Sequence, residues 1–174
     1  MTVSSDDLRQ WMRQWACGVT LVTAQDSRGP HGMTVSSFTS LSLDPPLIMV
    51  SLEQGTRTHQ MARQVGRFAV VMLRADQQDL AERFSGGVGD SDPRFDGVPH
   101  RPSPGGAPIP DTRLAYLDCQ VVDSLSAGTH TIFVGRVTGG EAADSGAPLL
   151  YYNRDYRRRL PRSAQPDLAG RRAA

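Results

Sequence analysis

The sequence predicts a mainly β protein whose antiparallel strands form a closed or partly closed barrel with a few short peripheral helices. At least six segments have the apolar or alternating pattern of strands, and the helical segments between them are few and short. This arrangement favours a barrel over a sheet that alternates strands with helices, and the sequence contains no internal repeat. Its 174 residues, of which 39% are hydrophobic, suit one compact domain with its own core.

The N-terminal third predicts one helix followed by three strands. Ser5 is a candidate N-cap because two aspartates follow it, and the helix should end before Gly18. Apolar residues recur on one face of this helix: Leu8, Trp11, Met12 and Trp15. The strands are expected over residues 18–24, 33–43 and 45–53. Pro46 can stand only at the first edge of the third strand, because proline has no backbone N–H to donate.

Two short helices flank an apolar strand in the middle of the chain. The first is expected over residues 56–66, with Thr56 or Thr58 as its cap. The second is expected over residues 75–87, where Asp76 would cap it and glycine would end it.

The second half of the chain begins with a long irregular stretch and continues with strands. Residues 86–113 are rich in glycine, proline and aspartate, and loops of this length are commonly lids or mobile segments. Two long strands over residues 114–128 and 130–142 should form a hairpin at Gly128. A last short strand is expected over residues 148–153.

Composition and charge limit the classes of function. We expect a folded domain over residues 1–160 and a flexible basic tail over residues 161–174. The formal net charge of +1 provides no global field for nucleic acid. Nothing resembles a signal peptide or a membrane span, and two distant cysteines form no disulfide framework, so a cytoplasmic protein is expected. All 19 basic side chains are arginine, which excludes Schiff-base and P-loop lysines, and the four histidines lack metal-ligand spacing.

Residues 32–46 carry an unusual number of small alcohols between two apolar strands: Thr34, Ser36, Ser37, Thr39, Ser40 and Ser42. One interpretation is the surface of a half-exposed strand, and the other is a seat for a polar ligand with many acceptors. No G-x-S-x-G sequence accompanies these serines, and the glycines of FSGGVGD lack the spacing of a dinucleotide fingerprint. Taken alone, the residues leave both interpretations open.

Several segments in succession resemble the flavin reductase family, which has the FMN-binding split-barrel fold: GVTLVTA, HGMTVSSFTSLSLDPPLIMVSL, RFAVVML, LAERFSG, GTHTIFVGRV and PLLYYNRDYRRRL. The similarity runs from Gly18 to Leu160, and it is strongest to the short reductases that supply reduced flavin to separate monooxygenases. This resemblance implies an antiparallel split β-barrel that forms a homodimer, with flavin bound near the dimer interface. It also implies hydride transfer from NADH or NADPH to FMN or FAD, and release of reduced flavin to a partner monooxygenase.

The resemblance also implies roles for individual residues. The segment that holds the isoalloxazine edge and the ribityl chain corresponds to Thr34, Val35, Ser36 and Ser37. The segment beside the ribityl chain and the phosphate corresponds to Ser51, Leu52, Thr56 and Thr58. His130 is expected beside the nicotinamide as the catalytic residue, Phe84 at the pocket wall and Arg157 near the cofactor or nucleotide.

Some alternatives stay open at this stage. Thr129 stands where the family commonly has aspartate, so the charge of His130 and the choice of pyridine nucleotide are undecided. Phe84 has a core position as its alternative, and Arg57 is either a phosphate ligand or a solvated surface residue. Cys119 is interpreted as a small buried residue rather than a redox thiol. The rival functions are a flavin-binding module without turnover and a split-barrel oxidase that retains its FMN.

Overall fold

The computed structural model describes residues 2–86 and 93–159. Within these residues the helices are α1 (Ser5–Met12), α2 (Arg57–Val65) and α3 (Gln78–Phe84). The strands of the first half are β1 (Cys17–Gly18), β2 (Thr20–Asp26), β3 (Gly29–Val35), β4 (Phe38–Leu43), β5 (Pro46–Glu53) and β6 (Arg67–Met72). Those of the second half are β7 (His100–Pro102), β8 (Pro108–Pro110), β9 (Ala115–Ala127), β10 (His130–Ala142), β11 (Leu150–Tyr152) and β12 (Asp155–Arg157). The mainly β composition and the strand start at Pro46 confirm the sequence-based expectation.

Seven strands form one antiparallel sheet in the order β3-β2-β6-β9-β10-β5-β4. Its edge strands, β3 and β4, are joined by only Ser36 and Ser37. Because successive Cα atoms are about 3.8 Å apart, the strand ends at Val35 and Phe38 lie within roughly 11 Å of each other. The sheet must therefore curl until its edges meet at residues 36 and 37, which we call the Ser36–Ser37 corner. The result is a partly closed antiparallel barrel, and no ladder pairs β3 with β4 in the described part of the chain.

The curled sheet separates two hydrophobic clusters. Val22 and Val70 face the cluster on the α2 side, whereas their neighbours Leu21 and Val71 face the cluster on the α3 side. Strands β2 and β6 are buried on both faces for this reason, which explains why their sequences are continuously apolar. Burying each large side chain in these clusters contributes about 1.5–3 kcal/mol.

The N-terminal caps of two of the three helices differ from the prediction. Ser4, rather than Ser5, caps α1 and forms a capping box with Asp7, and the helix ends at Met12, well before Gly18. Helix α2 has the predicted cap, Thr56, whose hydroxyl accepts a hydrogen bond from the backbone amide of His59. Helix α3 starts after Gln77 without a side-chain cap.

The segment before β9 packs against the core, although β7 and β8 are its only regular elements among the described residues. In its described part, β7 and β8 pair, and the side chains of Phe95 and Ile109 are buried in the α3-side cluster. Asp118 on β9 fixes this segment, because its carboxylate accepts hydrogen bonds from the Ser103 hydroxyl at 3.0 Å and the Gly105 amide at 2.6 Å. The irregular course predicted for residues 86–113 is confirmed for the described residues 93–113 outside β7 and β8, and the expectation of a lid or mobile segment stays a prediction.

The end of the described chain forms a second, smaller sheet. Strand β11 pairs with both β1 and β12, whereas the sequence predicted one strand there. The β9–β10 hairpin turns at Gly128, whose φ of 59° is left-handed, as predicted. The expected tail over residues 161–174 lies outside the described residues. No helix in the described residues is long and apolar enough to span a membrane.

Candidate functional site

Three cavities meet at the Ser36–Ser37 corner, and Ser36 lines all of them. The first, of about 480 Å³, extends from Thr34 towards α3 and Tyr156. The second, of about 400 Å³, lies beneath α1, and the third, of about 260 Å³, is lined mainly by apolar residues such as Leu149. The corner thus offers an open polar and aromatic cleft next to an apolar recess.

Thr34 and Val35 form one side of the corner. The Thr34 hydroxyl donates to the Ala81 carbonyl of α3 at 2.6 Å, and its oxygen still has lone pairs for a further hydrogen bond. Val35 is 5% exposed, so its side chain belongs to the core and only its backbone can contact a ligand. Its carbonyl accepts a hydrogen bond from the Thr20 hydroxyl at 2.7 Å.

Ser37 and Ser51 fasten the corner to the next strand. The Ser37 hydroxyl donates to the Ser51 carbonyl at 2.7 Å and accepts from the Ser51 amide at 3.2 Å. These two hydrogen bonds therefore hold the corner against strand β5. The adjacent Leu52 is fully buried among the core side chains, so its side chain has no access to a ligand.

The N-terminus of α2 supplies backbone donors near β3. The Thr56 hydroxyl donates to the Glu53 carbonyl at 2.9 Å and accepts from the His59 amide at 3.3 Å. It also lies 3.8 Å from the Met33 sulfur. A nine-residue helix that begins here presents free amides and the positive end of its dipole, which favours an anion.

The residues next to this cap have other contacts. Thr58 is fully buried, and its hydroxyl lies 2.8 Å from Nδ1 of His31, so it does not reach the surface. Arg57 donates from Nη2 to the carbonyls of Arg28 at 3.2 Å and Gly29 at 3.5 Å, which ties it to the β2–β3 turn.

His130 is the first residue of β10 and lies opposite Glu53 of β5. Ile132, two residues further along β10, lies opposite Ser51. His130 is therefore about 7 Å along the strand direction from Ser51, and its side chain is on the same face of the sheet as that of Ser51. Its Nδ1 lies 2.9 Å from the Thr129 hydroxyl. The strand register therefore places the expected catalytic side chain near the open end of the β5–β10 ladder.

Two further predicted site residues are not part of the corner. Phe84 is fully buried and packs edge-on against Phe95, with ring centroids 5.0 Å apart. Arg157 lies on β12 opposite Leu150 and forms an ion pair with Asp155 at 3.1 Å. Cys119 is buried, and burial together with the Asp118 charge raises the pKa of its thiol to about 12, which keeps the thiol protonated.

The structure also assembles polar residues that the sequence did not single out. A cavity of about 620 Å³ beside Gly55 and helix α2 is lined by Gln54, His59, Arg63 and Thr131, among others. His59 is buried, its Nε2 lies 2.9 Å from the Thr131 hydroxyl, and burial, with the Arg63 charge, lowers the pKa of the imidazole. Tyr151 and Arg154 at the corner were also missed, since only the pairing of β1 with β11 brings them there.

Comparison with known proteins gives consistent matches. The model of the flavin reductase like domain matches residues 12–159. A probable flavin reductase of Rhizobium meliloti (strain 1021) is 41% identical over 148 residues, which are 84% of this chain and 46% of the relative. The chain thus spans about half the length of that relative.

Two other similar proteins are matched over nearly their whole length. The reductase component of a 4-nitrophenol 4-monooxygenase/4-nitrocatechol 2-monooxygenase from Rhodococcus opacus is 37% identical over 169 residues, which are 94% of this chain and 89% of the relative. The solved structure of an NADH:FAD oxidoreductase from Streptomyces globisporus C-1027 has a TM-score of 0.84 at 32% identity, covering 92% of this chain and 98% of that chain. The corner, the α2 cap and His130 all lie within the residues matched by the family model.

Proposed function

This chain belongs to the flavin reductase like domain family, and we propose that it transfers a hydride from NADH or NADPH to FMN or FAD and releases the reduced flavin to a partner monooxygenase. The observation that carries the proposal is the family match over residues 12–159, which includes the Ser36–Ser37 corner, the α2 cap and His130. The reductase component from Rhodococcus opacus supports the link to a monooxygenase. The NADH:FAD oxidoreductase of the same fold supports the choice of donor and acceptor.

The corner has the chemical character that a flavin requires. A flavin has hydrogen-bonding atoms along one edge and apolar ring faces, so its seat needs short donors on one side and flat apolar surface on the other. Thr34, Ser36 and the backbone of edge strand β3 provide the first, and Tyr151 with Tyr156 provides the second. When bound, the flavin accepts the hydride at its ring system and supplies the redox chemistry.

The protein's own residues hold and orient the reactants. Ser37 and Ser51 keep β3 and β5 in place through their reciprocal hydrogen bonds, which fixes the position of the donors at the corner. The amides at the start of α2 and the Thr56 oxygen are suited to the flavin phosphate, since they form an electropositive helix end. Arg57 adds a positive charge next to that cap.

We assign His130 to contact with the nicotinamide. The Thr129 hydroxyl lies 2.9 Å from Nδ1 of His130. Among the described residues Nε2 has no such partner, so it is the ring nitrogen available to a ligand. No carboxylate stands at position 129, so orientation of the ring depends on a neutral hydrogen bond.

A homodimer is part of the proposal. Met49, Ile132 and Val134 are partly exposed and point away from the core, because the alternate residues of the same strands belong to the core cluster. Leu125, opposite Ile132, is 65% exposed. A second copy of the chain would cover this apolar face. Light scattering should give twice the chain mass, and Val134→Glu should give the monomer.

The organisation and location of the chain complete the proposal. We place one catalytic domain over residues 1–160, followed by a basic tail, and the family match over residues 12–159 supports this division. Both cysteines are free thiols, which supports a reducing compartment such as the cytoplasm.

The test is oxidation of NADH and of NADPH by the purified protein, each with excess FMN, FAD or riboflavin. We expect flavin-dependent oxidation well above the rate of free flavin and little flavin retained through gel filtration. Absence of turnover with flavin bound would identify a binding module. Yellow protein that oxidises NADH without added flavin would identify an oxidase-type enzyme with tightly held FMN.

A further inference from the structure

The tip of the β11–β12 hairpin has an unusual backbone conformation. Asn153 and Arg154 have φ values of 52° and 64°, both in the left-handed region. Asparagine tolerates this region, whereas an arginine there carries a steric cost. Strained residues of this kind cluster at ligand sites, so the position of the Arg154 side chain matters.

Arg154 lines both larger cavities at the corner, the one of about 480 Å³ and the one of about 400 Å³. It is exposed and has no ion pair among the described residues. The strained turn therefore directs a positive charge to the rim of the cleft that contains Ser36.

Arg13 provides a second positive charge in the cavity of about 400 Å³. It is the C-cap of α1 and lines the 400 Å³ cavity, and its buried Nε has no hydrogen-bond partner within residues 2–86 and 93–159. The Asn153 amide donates to the Arg13 carbonyl at 3.1 Å, so the hairpin tip and the end of α1 are held together. The two arginines therefore lie on segments that are hydrogen-bonded to each other.

The charged residues that line this cavity are all arginines in the part of the chain that the structure describes. Its lining includes Arg9, Arg13 and Arg154 and, among the described residues, no aspartate or glutamate, whereas the adjoining cavity of about 480 Å³ is also lined by Glu82 and Asp155. Only Arg9 has an acidic partner, Asp6 at 2.7 Å. Trp15, 68% exposed, adds a flat aromatic surface at the same wall. An aromatic surface beside two uncompensated arginines suits a nucleotide, which combines a planar base with phosphates.

The cavity is separate from the proposed seat of the flavin phosphate. Met33 of β3 faces Thr56 and α2, whereas the next residue, Thr34, faces Ala81 and α3. None of the described residues that line the cavity beneath α1 belongs to α2 or to its cap, so this cavity and the helix α2 end share no wall. Two anionic ligands therefore have two different positive sites.

We propose that Arg13 and Arg154 bind the pyrophosphate of the pyridine dinucleotide, so that the nicotinamide reaches the flavin across the Ser36–Ser37 corner. This inference rests on the proposed function, which supplies the dinucleotide as hydride donor. It assigns donor affinity to the strained hairpin and flavin affinity to the corner and the α2 cap.

Steady-state kinetics of Arg154→Gln, Arg13→Gln and the double variant test the proposal, with Arg67→Gln as matched control. Arg67 is an exposed arginine at the start of β6 and lines none of the cavities described above. We expect each single change at the cavity to raise KM for NADH about tenfold, since each removes charge-assisted hydrogen bonds, with kcat and KM for flavin within about twofold. Arg154→Lys should recover part of the loss because it keeps the charge.

A binding measurement separates this inference from the proposed function. Calorimetric titration of the flavin-free protein with ADP-ribose should give weaker binding in both single variants, and inorganic pyrophosphate should compete with NADH in the wild type. If the wild type shows no flavin-dependent NADH oxidation but binds ADP-ribose through these arginines, the proposed function fails and the site remains. If the wild type is active and Arg154→Gln leaves KM for NADH unchanged, or raises KM for flavin instead, this inference is overturned while the reductase assignment stands.

Discussion

Three histidine–threonine pairs occur in the described residues, and they lie in two contrasting regions. His31 with Thr58 and His59 with Thr131 are buried between α2 and the sheet, at 2.8 and 2.9 Å. His130 with Thr129 has the same chemistry and a distance of 2.9 Å, but it lies at the open end of β10.

The comparison indicates that accessibility to solvent, rather than residue type, distinguishes the two structural pairs from the pair proposed to contact a ligand. A buried imidazole that loses its partner leaves a polar group without water, so the α2 pairs mainly stabilise the fold. An exposed imidazole can exchange its partner for water or for a ligand at little cost. The two regions should therefore respond oppositely to equivalent substitutions.

Removing the buried hydroxyl of Thr58 should produce the largest effect on stability. Thr58→Val keeps the shape but leaves Nδ1 of His31 without this hydrogen bond, which should lower the free energy of unfolding by about 1–3 kcal/mol. Urea denaturation measures the change, and Thr39→Val, an exposed strand position, is the control with an expected change within about 0.5 kcal/mol. An equal effect of both substitutions would contradict the assignment of Thr58 to the core.

Removing the partly exposed imidazole of His130 should affect catalysis instead. His130→Ala should lower kcat/KM for NADH about tenfold, equivalent to about 1.4 kcal/mol of lost transition-state stabilisation, with little loss of stability. His100→Ala serves as the control, because His100 is exposed and its side chain contacts Phe95 and Val98, away from the corner and from β10. Unchanged NADH kinetics in His130→Ala would remove this residue from the proposed site.

Much of this contrast was outside the reach of the sequence. The apolar periodicity located most strands and the α2 cap, and the resemblance pointed to the corner. Neither could show that Leu52, Thr58 and Phe84 are fully buried, because burial depends on which other elements pack over a strand or helix rather than on its own sequence pattern.

Local alternatives account for the other differences. Two adjacent serines compete for the cap of α1, and Asp7 decides in favour of Ser4 because only that spacing completes the capping box. Asp76 does not cap α3, since its carboxylate lies against the Arg74 guanidinium at 3.3 and 3.4 Å. The packing of residues 93–113 depends on Asp118, which is distant in sequence and therefore invisible to a local pattern.

Acidification should weaken the buried region selectively. Burial lowers the pKa of His59 below its ordinary value of 6.5, so the unfolded chain binds this proton more readily than the folded protein. This contribution to stability is complete above pH 6.5 and is lost as the pH falls through the folded-state pKa. Urea titrations between pH 8 and 5 should show a steeper decline for the wild type than for His59→Gln, which cannot titrate. Parallel curves would show that His59 is not the group responsible.

The smallest effect is expected from Thr129→Val, and it sharpens the comparison because it is the exposed counterpart of Thr58→Val. Water can replace the lost hydroxyl at Nδ1 of His130, so the free energy of unfolding should change by no more than about 0.5 kcal/mol. Without its neutral partner the ring is less well oriented, and kcat/KM for NADH should fall about two- to threefold, with Thr129→Ser restoring it. A loss of stability similar to that of Thr58→Val would mean that the two regions do not differ in accessibility, and the division between them would fail.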